Sequence, residues 1–318
     1  MPKKKLSLIY GISLLVFLGI FFLAVMAGTL AVTVNDFTSI FHGNPTSTME
    51  YVIKLRFPRI FAAILVGAAL ATSGLFLQLI LKNPLADPSI VGINSGALIV
   101  KVLILLTAPQ WYLTSDLLSF FGGLGVLLFL AVLGMRYRFN PLKILIIGIA
   151  VNAILNALLD LAEIFPSLAI SLGFNQLTWS DVKILLLVIP ILICLAFVGR
   201  FADIMRLNEE LIISLGVSIR LTRFLFALAS ALLASLCTAI VGNLAFVGLL
   251  IPHMASRLVG NQFRYLYPLS IILGASLMLL SDTLGRTLVL PLEIPASAIL
   301  AFVGGPFLIY LIQKDHFK

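Results

Sequence analysis

Ile60-Phe-Ala-Ala-Ile-Leu-Val-Gly-Ala-Ala-Leu-Ala-Thr-Ser-Gly-Leu-Phe-Leu-Gln-Leu-Ile-Leu81 is a run of 22 residues without a single charge. As a helix rising 1.5 Å per residue it reaches about 30 Å, the thickness of a bilayer's hydrocarbon core. Arg56-Phe-Pro-Arg59 precedes it, and Lys82-Asn-Pro-Leu-Ala-Asp-Pro-Ser89 follows. Two prolines and an asparagine cannot continue a helix, so the chain turns sharply at Asn83-Pro84. Within the run, Gly67-Ala-Ala-Leu-Ala-Thr-Ser-Gly74 sets small residues along one flank. Neighbouring helices can then approach closely, as they must where lipid removes the hydrophobic drive between helices. Gln78, one turn beyond Gly74, is placed to hydrogen-bond across a bundle.

Similar runs fill the chain. Leu6–Val32 comes first, too long for a signal peptide and preceded by Lys3, Lys4 and Lys5. The others are Ile90–Thr107, Leu117–Gly134, Ile144–Ile164, Val182–Gly199, Phe224–Val241, Leu244–Leu258, Pro268–Leu288 and Ala296–Ile312. The expected fold is therefore all-α: a polytopic transmembrane helical bundle of about ten spans forming a single domain over residues 1–318. An even count that starts inside returns the carboxyl terminus inside. Fifteen of the 21 lysines and arginines then fall on the inner side. That is the positive-inside bias, and both termini are expected to be cytoplasmic.

Composition agrees. The 318 residues are 61% hydrophobic and 11% charged, with a mean hydropathy of +1.16, which excludes an ordinary soluble globule. The net charge of +8 implies no nucleic-acid partner, because cytoplasmic loops collect basic residues anyway. Cys194 and Cys237 both lie in apolar runs, so neither a disulfide nor a metal centre is expected. Arg220-Leu-Thr-Arg223 echoes Arg56-Phe-Pro-Arg59 ahead of another long apolar run, which suggests two inverted five-helix halves, about 1–165 and 166–318.

Few residues ask for a role. Arg56, Arg59 and Arg286 sit on the outer side against the inward bias, where they either snorkel to headgroups or meet carboxylates on a docking protein. Pro252 interrupts an apolar run and frees carbonyls that nearby polar groups must satisfy. His253 beside it has no second ligand nearby and reads as a structural histidine rather than a metal or proton site. On the inner side, Glu209 and Glu210 open a short apolar turn, Leu211 to Leu215 with Ser214, which Gly216 can end. It suits either insertion into a cytosolic partner's groove or rest on the membrane surface. Asp160 and Glu163 could form an ion-coupling pair, the mark of a stand-alone secondary carrier, but read first as the end of their helix. No phosphate-loop, zinc-hydrolase or serine-hydrolase motif occurs, so no catalytic residue is expected.

Together these pieces resemble the permease subunits of binding-protein-dependent ABC importers for iron chelates, haem and cobalamin. The resemblance rests on Arg56-Phe-Pro-Arg59, Gly67-Ala68, Ser73-Gly74, Gln78, Asn83-Pro-Leu-Ala-Asp-Pro88, Ser214-Leu-Gly216, Phe246-Val-Gly-Leu249 with Pro252-His253, Asp282 with Arg286, and Glu293-Ile-Pro295. They occur in the family's order over nearly the whole chain. Trp179-Ser-Asp-Val182 and Pro291-Leu-Glu-Ile-Pro295 look most like Gram-positive haem permeases of the iron-regulated surface determinant type. Arg138-Phe-Asn140 adds to that leaning, while ferric-siderophore and, more remotely, cobalamin permeases are the alternatives.

The resemblance implies a multi-pass permease of the bacterial cell membrane that works by alternating access and needs no cofactor. Its implied partners are cytosolic ATPase subunits, an extracellular substrate-binding lipoprotein, a second permease (the same or a paralogue) and membrane lipid. By carry-over, Arg56, Arg59 and Arg286 match positions that dock the binding protein, and Glu209 to Gly216 match the helix that couples to the ATPase. Three departures stand out: Asn208 replaces a usual glycine, Ile212-Ile213 replaces a usual Ala-Arg pair, and a usual Trp-x-x-Gly-Ser is missing around Gly173-Phe-Asn-Gln176.

Overall fold

The computed structural model describes residues 3–28, 32, 36, 39, 46–136, 141–163 and 173–315, and among these every regular element is a helix. In chain order they are α1 (Lys3–Met26), α2 (Ser47–Tyr51), α3 (Phe57–Leu81), α4 (Pro88–Val91), α5 (Ile93–Thr107), α6 (Ser115–Arg136) and α7 (Pro141–Glu163). There follow α8 (Trp179–Leu185), α9 (Val188–Phe197), α10 (Gly199–Ile204), α11 (Glu209–Ser214), α12 (Ile219–Val241), α13 (Val247–Val259), α14 (Phe263–Gly285) and α15 (Ala296–Asp315). Seven stretches among the described residues are long and apolar enough to cross a membrane, and α5, α13 and α15 supply shorter apolar helices at the remaining expected positions.

The fold is organised around α3. Its apolar window is 83% buried, against 6% for α7 at the periphery. The stripe of small residues explains how. A Cβ on Gly67 would collide with the Gly274 carbonyl of α14, and one on Gly74 would collide with Gly248 of α13. Both neighbours therefore lie nearly in backbone contact with α3. The same device recurs where Gly96 of α5 meets Gly122 of α6, and where Gly123 of α6 meets Ser235 of α12. At the centre, Ser73 of α3 and Ser230 of α12 exchange bonds: each hydroxyl donates to the other's carbonyl, at 2.7 and 2.8 Å. The packing around that pair is reciprocal. α3 lies on α13 and α14, while α12 lies on α5 and α6. In turn α5 touches α6 and α7, and α13 touches α14 and α15.

Several boundaries differ from those expected, each for a local reason. The first helix stops at Met26 rather than Val32, and arginines from other helices take its terminal carbonyls (below). The third begins with a separate turn, because Gly92 adopts φ +90° between α4 and α5. The sixth, expected unbroken over Val182–Gly199, divides into α8 and α9. Pro190 has no N–H for the Leu186 carbonyl, and Ile189 donates to it instead at 3.0 Å. The eighth starts at Val247, not Leu244, and Gly242–Phe246 runs non-helically inside the bundle. The ninth begins at Phe263, ahead of the expected Pro268, which the helix accommodates.

Candidate functional site: two ends of the bundle

The end where α1 finishes and α3 begins is called outer here, following the charge distribution. Sequence placed Arg56, Arg59 and Arg286 there; the structure brings Arg56 and Arg286 to the terminus of α1 and links Arg59 to Arg286 through Asp282. Arg56 lies on the π turn Val52–Arg56 that joins α2 to α3, and is 4% exposed. Its Nη1 donates to the Val25 carbonyl at 2.6 Å. Arg286, capping α14, donates through Nη1 to Ala27 at 2.8 Å and through Nη2 to Ala24. The unsatisfied carbonyls and negative dipole end of α1 thereby acquire two cations. Gly28 follows without a side chain because the Arg56 guanidinium fills the space a Cβ would need.

Arg59 is held differently. Its Nε donates to both carboxylate oxygens of Asp282, at 2.8 and 3.0 Å, and its Nη1 donates to Glu293 Oε2 at 2.8 Å. Asp282 also lies 3.8 Å from Arg286 Nε. One buried carboxylate thus ties α3 to α14, and a second, on the loop before α15, closes the group. A cavity of about 310 Å³ opens beside it, lined by Arg59, Glu293, Asn175, Asn243 and Ser297. The three arginines are accordingly inward-facing and engaged, which their position in the sequence did not reveal. Asp282 and Glu293 were visible only as parts of a motif. The i,i+4 spacing of Asp282 and Arg286 was the one local signal that they belong together.

At each end of α3 a proline defect is repaired from a different helix: Trp179 of α8 serves the turn ahead of α3, and Gln78 of α3 serves α13. At the outer end Pro58 lacks an N–H, the π turn bonds Phe57 N–H to Val52, and the spare Ile53 carbonyl accepts Trp179 Nε1 at 3.0 Å. Deeper in, Pro252 removes the donor that Gly248 would use, and Gln78 Nε2 supplies one at 3.0 Å. Gly248 packs on Gly74, seven residues before α3 ends, so α13 begins roughly 10 Å inside the bundle. Asp87 caps that buried start. Its Oδ2 lies against Gly248 where a Cβ would stand, and its Oδ1 accepts from the Ser89 N–H at 2.8 Å and the Ser89 hydroxyl at 2.5 Å. Asn83 Oδ1 accepts from Leu85 N–H at 2.8 Å, so Asn83-Pro84 forms the expected turn.

His253 lies on α13 with its ring edge-on to Phe307 of α15, centroids 6.2 Å apart. Among the described residues, no group of three or more His, Cys, Asp and Glu could hold a metal. Asp160 is exposed near the end of α7, and the Glu163 side chain and Arg138-Phe-Asn140 lie outside the described residues.

At the inner end, Glu209, Glu210 and Ser214 fall on α11, and Gly216 follows with φ +74°. Ile212 is buried, whereas Leu211, Ile213 and Leu215 are 53%, 66% and 58% exposed. Glu209 accepts from Arg223 Nη2 at 2.8 Å, which fastens α11 to the start of α12. Asn208 takes the extended backbone of an N-cap, and Ile212-Ile213 therefore puts one side chain into the protein and one out. The result is a short helix with an apolar crest projecting from the inner end.

This arrangement has relatives. The chain is 40% identical over 316 residues to probable haem-iron transport system permease proteins IsdF of Staphylococcus aureus strains RF122 and Newman, covering 99% of this chain and 98% of theirs. An inward-facing metal-chelate type ABC transporter of known structure superimposes with a TM-score of 0.83 at 27% identity, over 97% of this chain and 99% of that one. PsaBC of Streptococcus pneumoniae shares the fold, with a TM-score of 0.54 at 17% identity. Residues 14–314 match the model of the FecCD transport family. A match that runs from the first helix to the last, over a bundle already built from the same motifs, makes this multi-pass cell-membrane permease a member of the FecCD transport family.

Proposed function

We propose that this permease moves haem into a bacterial cell by alternating access, as the membrane half of an ATP-driven importer. The observation that carries the substrate is the 40% identity over full length to permeases named for haem-iron transport. As a permease of this family it hydrolyses no nucleotide itself, and a separate ATPase subunit does so. A second permease, a copy or a paralogue, completes the path.

Energy enters at α11. Its exposed leucines and isoleucine suit a groove on the ATPase, and the Glu209–Arg223 pair passes a displacement on to α12. ATP binding moves the permease only as far as it favours one arrangement over the other. The bistable element we infer is a pair of inverted halves, about 1–165 and 166–318, hinged near Ser73 and Ser230. The reciprocal packing of α3 and α12 supports that reading. At the outer end, the knot of three arginines and two carboxylates keeps a net positive charge. That supports docking of an acidic binding lipoprotein around Arg59, with Arg56 and Arg286 fixing the platform on α1.

A strain that lacks the chain and is grown with haem as its only iron source tests the substrate. Growth should fail, and should return when the chain is restored. Normal growth on haem with failure on ferric siderophores would transfer the assignment to the siderophore members of the family.

A further inference from the structure

The donors of the three outer arginines differ in what it takes to release them. Arg56 and Arg286 are buried and donate to backbone carbonyls of α1. Arg59 alone has one buried and one exposed carboxylate: the Asp282 side chain is 1% exposed and that of Glu293 42%. The bidentate Asp282 contact fixes the plane of the guanidinium through Nε, whatever Glu293 does. Nη1 is left pointing at Glu293 and at the adjoining cavity of about 310 Å³, which Asn175, Asn243 and Ser297 supply with further polar groups. Glu293 follows exposed Leu288, Leu290 and Leu292, and the loop is fastened behind it where Ile294 N–H donates to the Gly285 carbonyl at 2.8 Å. Only the Glu293 side of the pair is open to solvent; replacing one carboxylate by another there conserves both charge and hydrogen bond, so the exchange meets little opposition.

We propose that Glu293 is a built-in competitor for the docking partner: it occupies Arg59 Nη1 until an acidic side chain of the extracellular binding protein enters the cavity and displaces it. This rests on the docking reading above. The exchange keeps the guanidinium paired when no partner is present and makes docking depend on a carboxylate placed to reach into the cavity. An incoming side chain without negative charge would have to strand Glu293 and Arg59 apart, which favours acidic partners specifically.

The test uses the complete importer in nanodiscs, titrated with its own haem-loaded binding protein copurified from native membranes. Glu293→Gln should tighten binding roughly three- to tenfold, in keeping with charge complementarity at a rim, and Arg59→Gln should weaken it. In the Arg59→Gln background, Glu293→Gln should have no effect. Weaker or unchanged binding in Glu293→Gln, with Arg59→Gln still weakening it, would overturn the exchange and leave docking in place. If Arg59→Gln, Arg56→Gln and Arg286→Gln all bind normally, docking itself is assigned wrongly. A Glu293→Gln importer that no longer elutes as an intact complex would also overturn the proposal, because an exchangeable partner is dispensable for assembly.

Discussion

The outer and inner ends of this bundle both carry arginines beside helix termini, yet they are finished in opposite ways. Outside, Arg56, Arg59 and Arg286 are nearly buried, and carbonyls and carboxylates of the same chain meet them. Inside, Arg206 and Arg220 are exposed, and a six-residue helix lifts Leu211, Ile213 and Leu215 into solvent. A helix that short does not stand alone, so it depends on buried Ile212 and on the Glu209–Arg223 pair. The lesson concerns how each surface engages a partner. On the reading proposed above, the electrostatically closed outer end would engage by exchange, whereas the apolar, open inner end would engage by burial.

The largest effect should come from removing the inner crest. Burying a leucine or isoleucine side chain contributes about 1.5–3 kcal/mol. Ile213→Asp with Leu215→Asp should therefore weaken ATPase binding by about a hundredfold or more, read as loss of the ATPase from the purified complex while the permease still elutes normally. Next comes the outer knot. Asp282→Asn leaves Arg59 and Arg286 without their shared buried carboxylate, and breaking a buried pair costs about 3–5 kcal/mol. A lower thermal midpoint should report it, and the inner Glu209→Gln should lower that midpoint far less, because Glu209 is 57% exposed.

The two proline repairs sharpen the contrast further. Gln78→Leu orphans the Gly248 carbonyl deep in the bundle, a loss of about 1–3 kcal/mol. Trp179→Phe orphans the Ile53 carbonyl at a rim where water can replace the indole, so its effect on the midpoint should be smaller. Last, Lys54→Gln removes an i,i+4 pair with Glu50 whose side chains are 74% and 54% exposed. The change should stay within about 0.5 kcal/mol.

What could be read in advance follows from how local each signal is. Spans announce themselves through composition, and the small-residue flank of α3 announced close packing before its partners Gly274 and Gly248 were known. Pro252 announced an orphaned carbonyl, and Gln78 a donor, although nothing in the sequence paired them. The break at Pro190, the π turn ahead of Pro58 and the buried start of α13 were missed because each depends on which carbonyl finds a donor elsewhere. The same holds for the outer arginines. Their positions were legible, but their partners were not: Arg59 and Arg286 find theirs more than 200 residues away in the chain, and Arg56 meets a carbonyl 31 residues before it.

The dependence of transport on both ends is most directly tested by haem uptake into proteoliposomes. Vesicles with the permease alone should accumulate none, and uptake should appear only when the ATPase, ATP and the loaded binding protein are all supplied. Accumulation by the permease alone, driven by an ion gradient, would contradict a gate powered from the inner end and loaded at the outer one.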